Sequence, residues 1–241
     1  MNHAAKAFLG AALLFGGHST EGKGGELKQD NALLFYVPFD SSADAEAGGA
    51  VGKVEGEVKY VRGMKGDAVM LDKKRGARIS YNLATGFDPD EGTLMFWIKP
   101  HWSGDDGLAH DLAWVALGGE GYIRWSKGLA DDRPQVNILW LYSNPNDRHA
   151  ECDAKLFEEN QWLHVATTWS AAETISRIYL NGDFKVKGTW ADRPKGSWRS
   201  LLLGYYYEKC KQHADATIDE FYIFGRALAS EEIQRYVGAT S

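Results

Sequence analysis

Near the end of the chain the stretch ATIDEFYIFGRALASEEI, residues 216 to 233, sets Asp219 beside Glu220 in a run that otherwise reads as a buried strand. Two adjacent carboxylates can be an acid/base pair, metal ligands or structural pegs. In a strand, successive side chains point to opposite faces, which places Asp219 with Thr217, Phe221 and Ile223, and Glu220 with Ile218, Tyr222 and Phe224. On that alternation the two acids do not act together on one substrate. A buried charge must still be paired. Arg226, just after the strand in FGRAL, offers a bidentate guanidinium, so Glu220 and Arg226 are expected to form a structural ion pair.

Other candidate groups read as structural. The loop KPHWSGDDGLAHDL, residues 99 to 112, holds His101, Asp105, Asp106, His110 and Asp111, but its two histidines are nine residues apart, not at the short spacing that gathers metal ligands. Asp88 with Asp90 and Glu151 with Asp153 alternate in turn-like contexts without a third acid. His164 in WLHVATTW has no Ser, Cys or acid at useful spacing and is expected to be a hydrogen-bonded strand histidine. Trp97, Trp140, Trp162 and Trp169 fall inside strands and read as core. Trp102, Trp190 and Trp198 fall in or beside loops, where rings can stack on sugar faces. GTWADRPKGSWRS adds Asp192, Arg193 and Arg199 to Trp190 and Trp198, and this is the expected recognition surface, together with Trp102.

The elements that position these groups are short strands. Among 241 residues, nine Trp, eleven Tyr and ten Phe against four Met favour half-buried pleated surfaces. Apolar or alternating runs recur between turn residues from ALLFYVPF (32 to 39) to ATIDEFYIF (216 to 224), with no helical period between them, which is an all-β pattern. Asn181-Gly182 between two alternating runs predicts a type I′ hairpin over residues 176 to 188. One helix is predicted, in ASEEIQRYV, with Ser230 as N-cap and Ile233 and Val237 on one face.

The net charge of −6 is spread along the chain, and scattered Lys and Arg exclude a nucleic-acid footprint. Residues 1 to 19, with Lys6 before an apolar run and Gly17 and Ser19 after it, read as a secretory signal too short to span a bilayer. Residues 20 to 30 read as a linker, and residues 31 to 241 as one domain. No segment reads as transmembrane. A periplasmic or extracellular location follows from the signal, and in that oxidising setting Cys152 and Cys210 are expected to form one disulfide.

Taken in order, LLFYVPFDSSADAE, GTLMFWIKP with HWSGDDG, WLHVATTWS, IYLNGD and IDEFYIFGRALASEEI resemble the LamG-like branch of the concanavalin A-like lectin/glucanase superfamily, over nearly all of residues 32 to 237. The resemblance implies a two-sheet antiparallel jelly-roll sandwich with one short C-terminal helix. It implies a structural calcium in some members, for which Asp40 and Asp219 are the matching positions. It also implies a binding module for glycans or proteins. The catalytic branches carry their acids as E-x-D-x-E or E-x-D-x-x-E on one strand face, and that pattern is absent here. The expected function is therefore a secreted, non-catalytic module for carbohydrate. A structural or assembly role on a protein partner comes second, and a polysaccharide hydrolase or lyase third.

Overall fold

The computed structural model describes residues 25–83, 88, 90–117, 121–130, 133–142, 148–189, 196–204 and 213–240; for residues 25, 26, 121, 129, 130, 133–142, 148 and 149 the backbone alone is described. A short helical turn α1 (Gly25–Lys28) precedes β1 (Leu33–Val37), β2 (Lys53–Glu55), β3 (Lys59–Arg62), β4 (Asp67–Leu71), β5 (Arg78–Asn82) and β6 (Glu91–Pro100). There follow β7 (His110–Leu117), β8 (Gly121–Ala130), β9 (Arg133–Tyr142), β10 (Arg148–Asp153), β11 (Leu163–Ser170), β12 (Ile175–Leu180), β13 (Asp183–Thr189), β14 (Trp198–Leu203), β15 (Ala216–Phe224) and the helix α2 (Ser230–Thr240). The expected two-sheet antiparallel sandwich is what these strands form. Sheet A has the order β13-β12-β11-β6-β15-β4-β3 with β1 also on β15, and sheet B the order β10-β9-β8-β7-β14-β5-β2.

Alternation along the strands fills the space between the sheets. Phe35, Phe96 and Phe221 of sheet A join Tyr81, Val115 and Leu201 of sheet B in one buried cluster. Phe35 meets Tyr81 edge to face across the sandwich at 5.0 Å. Trp125 of sheet B donates its indole N–H to Thr167 of sheet A at 3.1 Å, so the one polar atom of that ring is satisfied inside the core. A second apolar layer lies on the outer face of sheet A, where Ile233, Tyr236 and Val237 of α2 cover Met95, Trp97, Tyr179, Tyr222 and Phe224.

The local expectations hold with two adjustments. Asn181 and Gly182 take φ of 51° and 82°, the left-handed pair that a type I′ turn requires. The helix N-cap is Ala229, not Ser230: the Ala229 carbonyl accepts from Glu232 and Ile233, while the Glu232 carboxylate reaches back to the Ala229 N–H at 2.7 Å. The domain also starts inside the stretch expected to be linker, since Leu27 is buried in the outer cluster and Asp30 pairs with Arg226.

Strand β15 answers the question of the two acids. One of its edges pairs with β6 over residues 216–219 and 222–224, but the other pairs with β4 over residues 216–218 and with β1 over residues 221–224. Between these partners a β-bulge interrupts the register, with Glu220 at φ 50°. A bulge sets two residues against one and breaks alternation. Ile218 and Phe221 both face the inter-sheet core, while Asp219 and Glu220 both face outward, which overturns the expectation of opposite faces.

The outer side gives each acid its own set of donors. Glu220 accepts from the hydroxyls of Tyr36 at 2.6 Å, Tyr222 at 2.9 Å and Tyr236 at 3.4 Å, with Lys65 Nζ at 3.6 Å. The expected pair with Arg226 does not form: Arg226 lies beyond the strand end, where its guanidinium clamps Asp30 and Glu232 and so ties the N-terminal segment to α2. Glu220→Ala would leave three buried phenols without an acceptor beneath the helix. It is expected to cost about 3 kcal/mol or more in urea unfolding. A loss below about 1 kcal/mol would show that the phenols do not depend on this carboxylate.

Candidate functional site

Two of the six residues expected to form the recognition surface are buried. Trp102 is buried, stacked on His110 at 4.4 Å, and donates its N–H to the Ala214 carbonyl at 2.7 Å. Trp198 is 1% exposed and stacks on Trp169 at 5.9 Å inside the core. Both rings lie near loops in the sequence yet close the ends of the sandwich, so neither presents a face to a ligand. Arg199 is exposed on β14. Trp190, Asp192 and Arg193 lie outside the described residues. Cys152 is a buried free thiol whose pKa burial pushes up to about 12; Cys210, its expected disulfide partner, and the expected signal lie outside the described residues.

The two positions expected to hold calcium converge on the turn between β3 and β4. Asp219 Oδ2 accepts from the N–H groups of Met64 and Lys65 at 2.8 and 3.0 Å, and Asp40 Oδ1 from that of Asp67 at 2.7 Å. Gly66, at φ 63°, is required there, because a Cβ would stand 1.9 Å from Asp40 Oδ1. Burial pushes the Asp219 carboxyl up to about 7, against the pull of the Lys65 N–H and with a push from neighbouring Glu220. Hard oxygens from separate elements suit calcium, and Asp219 Oδ1 is buried without a hydrogen-bond donor. Among the described residues no three His, Cys, Asp or Glu side chains converge as a metal cluster, so backbone carbonyls and water would have to complete such a site.

The loop at residues 99 to 112 is a structural network, as its spacing indicated. Asp106 receives both His110 Nε2, at 2.7 Å, and the fully buried Lys127 ammonium, which also donates to the Leu108 carbonyl at 2.6 Å. A cleft of about 510 Å³ lies at the ends of β6 and β11, with Asp88, Asp90, Glu91, Ser170 and Gly225 in its lining and no aromatic ring among its described lining residues.

The surface best equipped for recognition is the solvent-facing side of sheet B. Ala113, Val115 and Leu117 on β7 and Ile123 and Trp125 on β8 point into the core, which leaves Trp114 and Tyr122 on the opposite side, half-buried. Their rings meet edge to face at 5.0 Å. Arg124, cross-strand from Trp114, donates through Nε to Asp111 Oδ1 at 2.7 Å, and its Nη2 contacts the same oxygen. Burial raises the Asp111 carboxyl, and the Arg124 guanidinium opposes that. Further along, Arg78 Nε donates to Glu55 Oε2 at 2.9 Å, with Lys53 Nζ 3.4 Å from Oε1. Aromatic edges bordered by rigid charged hydrogen-bonding groups can stack on a sugar ring and orient its hydroxyls. The signal was readable: Trp114 and Tyr122 are out of phase with the apolar alternation of LAWVAL and YIRWS.

The chain belongs to the concanavalin A-like lectin/glucanases superfamily, whose laminin G family model matches residues 73–234. No curated protein matches the sequence significantly. Among solved structures, the chain is similar to domain 4 of an extracellular GH43 arabinanase from Geobacillus stearothermophilus, in complex with arabinotriose. The two are 19% identical with a TM-score of 0.62, over 85% of this chain and 98% of that one. It is also similar to the binding domain of botulinum neurotoxin serotype D, at 15% identity and a TM-score of 0.67, over 86% of this chain and 50% of that one. The binding domain of botulinum neurotoxin DC in complex with SialylT is 15% identical with a TM-score of 0.64, over 88% and 52%. The chain spans about half the length of these toxin domains.

His164 departs from its expected hydrogen-bonded state. It is fully buried under α2, with rings of Trp97 and Tyr236 at 5.1 and 5.4 Å, and neither ring nitrogen has a hydrogen-bond partner. Burial alone depresses it from 6.5 to about 3. A depressed imidazole takes up its proton only on unfolding, so its contribution is present above 6.5 and lost as pH falls toward 3, by about 1.4 kcal/mol per pH unit. In urea melts across that window His164→Leu is expected to flatten the pH dependence by this slope relative to wild type. Parallel profiles would show that His164 is hydrated or partnered.

Proposed function

We propose that the protein is an exported carbohydrate-binding module that acts without catalysis, using the solvent-facing side of sheet B. The observation that carries this reading is the Trp114–Tyr122 ring pair beside the Arg124–Asp111 clasp on a rigid sheet. Fold-level likeness to an arabinanase domain in complex with arabinotriose and a toxin domain in complex with SialylT supports it. Asp219 and Glu220 are both buried and held by donors of the fold, which argues against their serving a hydrolase. Export rests on the apolar N-terminal segment; among the described residues no helix is long and apolar enough to cross a membrane. Docking on another protein is favoured by Phe184, half exposed on edge strand β13.

In affinity electrophoresis against a polysaccharide panel, Trp114→Ala is expected to weaken retention on the order of tenfold, about 1.4 kcal/mol, with an unchanged melting midpoint. Phe184→Ala should leave retention intact. Equal retention of Trp114→Ala and wild type would remove this face from the reading. A structural calcium held by Asp40 and Asp219 is a separate proposal, supported by the donor-free Oδ1 of Asp219. A melting midpoint higher in calcium than in EGTA, with the difference lost in Asp40→Asn, is the expected result. Equal midpoints would leave both acids as caps of the β3–β4 turn alone.

A further inference from the structure

We propose that the side chains of Lys127 and Asp106 condense into an intramolecular amide, an isopeptide bond that ties the loop between β6 and β7 to β8. Among the described residues Lys127 is the only buried lysine. By strand alternation it shares the inward side of β8 with Ile123 and Trp125, and its Nζ lies 5.8 Å from the centre of the Trp102 ring. Nζ contacts Asp106 Oδ1 and donates to the Leu108 carbonyl at 2.6 Å. The other carboxyl oxygen, Oδ2, faces His110 Nε2 at 2.7 Å. The His110 ring, stacked on Trp102, has the His213 carbonyl 3.0 Å from Nδ1, so it lies between two acceptors and donates to both.

A secondary amide has one N–H to give and one oxygen to receive, and both partners are already in place. The N–H keeps the Leu108 carbonyl, and Oδ2, as the amide oxygen, keeps His110 Nε2–H. Burial pushes the Asp106 carboxyl up, but hydrogen bonds from Lys127 and His110 outweigh it and hold it below the usual carboxylate range, so the reaction starts from the ion pair. Two protons pass from the ammonium to Oδ1, Nζ bonds to Cγ, the Cγ–Oδ1 bond breaks, and Oδ1 leaves as water. His110 holds Oδ2 while that oxygen carries the negative charge of the tetrahedral intermediate. Ammonium and carboxylate supply every atom, and the Asp106 side chain, 19% exposed, leaves a path for the water. Holding the Lys127 ammonium away from solvent is costly, and the product carries no charge. Groups held in contact reach effective molarities on the order of 10⁵ M or more, which outweighs the hydrolysis that opposes amide formation between free molecules.

The test is mass spectrometry of the intact protein, denatured in acid, both freshly purified and after warm incubation. The mass of wild type is expected to fall one water below the value calculated from that of Lys127→Met, a variant that cannot condense and that corrects for any N-terminal processing. Tryptic digestion is expected to leave Lys127 uncleaved, in a branched peptide that also carries Asp106. His110→Phe, which keeps a ring on Trp102 but no donor, is expected to slow the appearance of that peptide on the order of a hundredfold. Wild type of full mass after incubation, cleaved by trypsin at Lys127, would overturn the inference and leave the ion pair. A missing water without a branched peptide, as a succinimide at Asp106-Gly107 would give, would overturn it as well. An unchanged rate in His110→Phe would overturn the part given to His110 in the step.

Discussion

The sandwich depends on how its last strand is received. Strand β15 enters the middle of sheet A against β6, and its other edge has to be shared by β4 and β1, which come from the beginning of the chain. No continuous strand covers that edge. At the change of partner the backbone bulges, and two acids occupy the gap that a ladder would otherwise fill. Asp219 takes the amide N–H groups of the β3–β4 turn, and Glu220 takes the hydroxyl of Tyr36 from β1. Each carboxylate thus fastens β15 to one of the two partners between which it is divided. Buried acids are tolerated here because each meets hydrogen-bond donors from the fold itself.

The same bulge organises the outer layer. With Ile218 and Phe221 both turned inward, Tyr222 and Phe224 face out and build the floor on which α2 lies. Tyr236 of the helix closes the ring of phenols around Glu220, and Arg226 anchors the helix start through Glu232 while holding Asp30. The segment around Asp30, the last strand and the C-terminal helix are consequently tied together. The outer face of sheet A is thus covered by α2, while on sheet B Trp114 and Tyr122 are half-buried.

A sheet presents side chains at fixed spacing with little freedom, which suits recognition of a repeating ligand better than a mobile loop does. The aromatic residues nearest the loops, Trp102 and Trp198, were drawn inward because the open ends of a sandwich expose the edges of its core, and a large ring covers more of that edge than an aliphatic side chain.

Read alone, the sequence determined the architecture. The spacing of short strands, the Asn181-Gly182 hairpin, the single amphipathic helix and the buried Trp97 and Trp169 are local or periodic signals, and local signals survive folding. The outward-facing Trp114 and Tyr122 were also legible, as breaks in phase. What tertiary structure alone decided were the relations between distant segments. Strand alternation predicts opposite faces for Asp219 and Glu220, and only the division of one strand edge between β4 and β1 forces the bulge that aligns them. Arg226 is six residues from Glu220 yet pairs with Asp30, because direction at a strand end is set by where the chain turns next, not by separation along it.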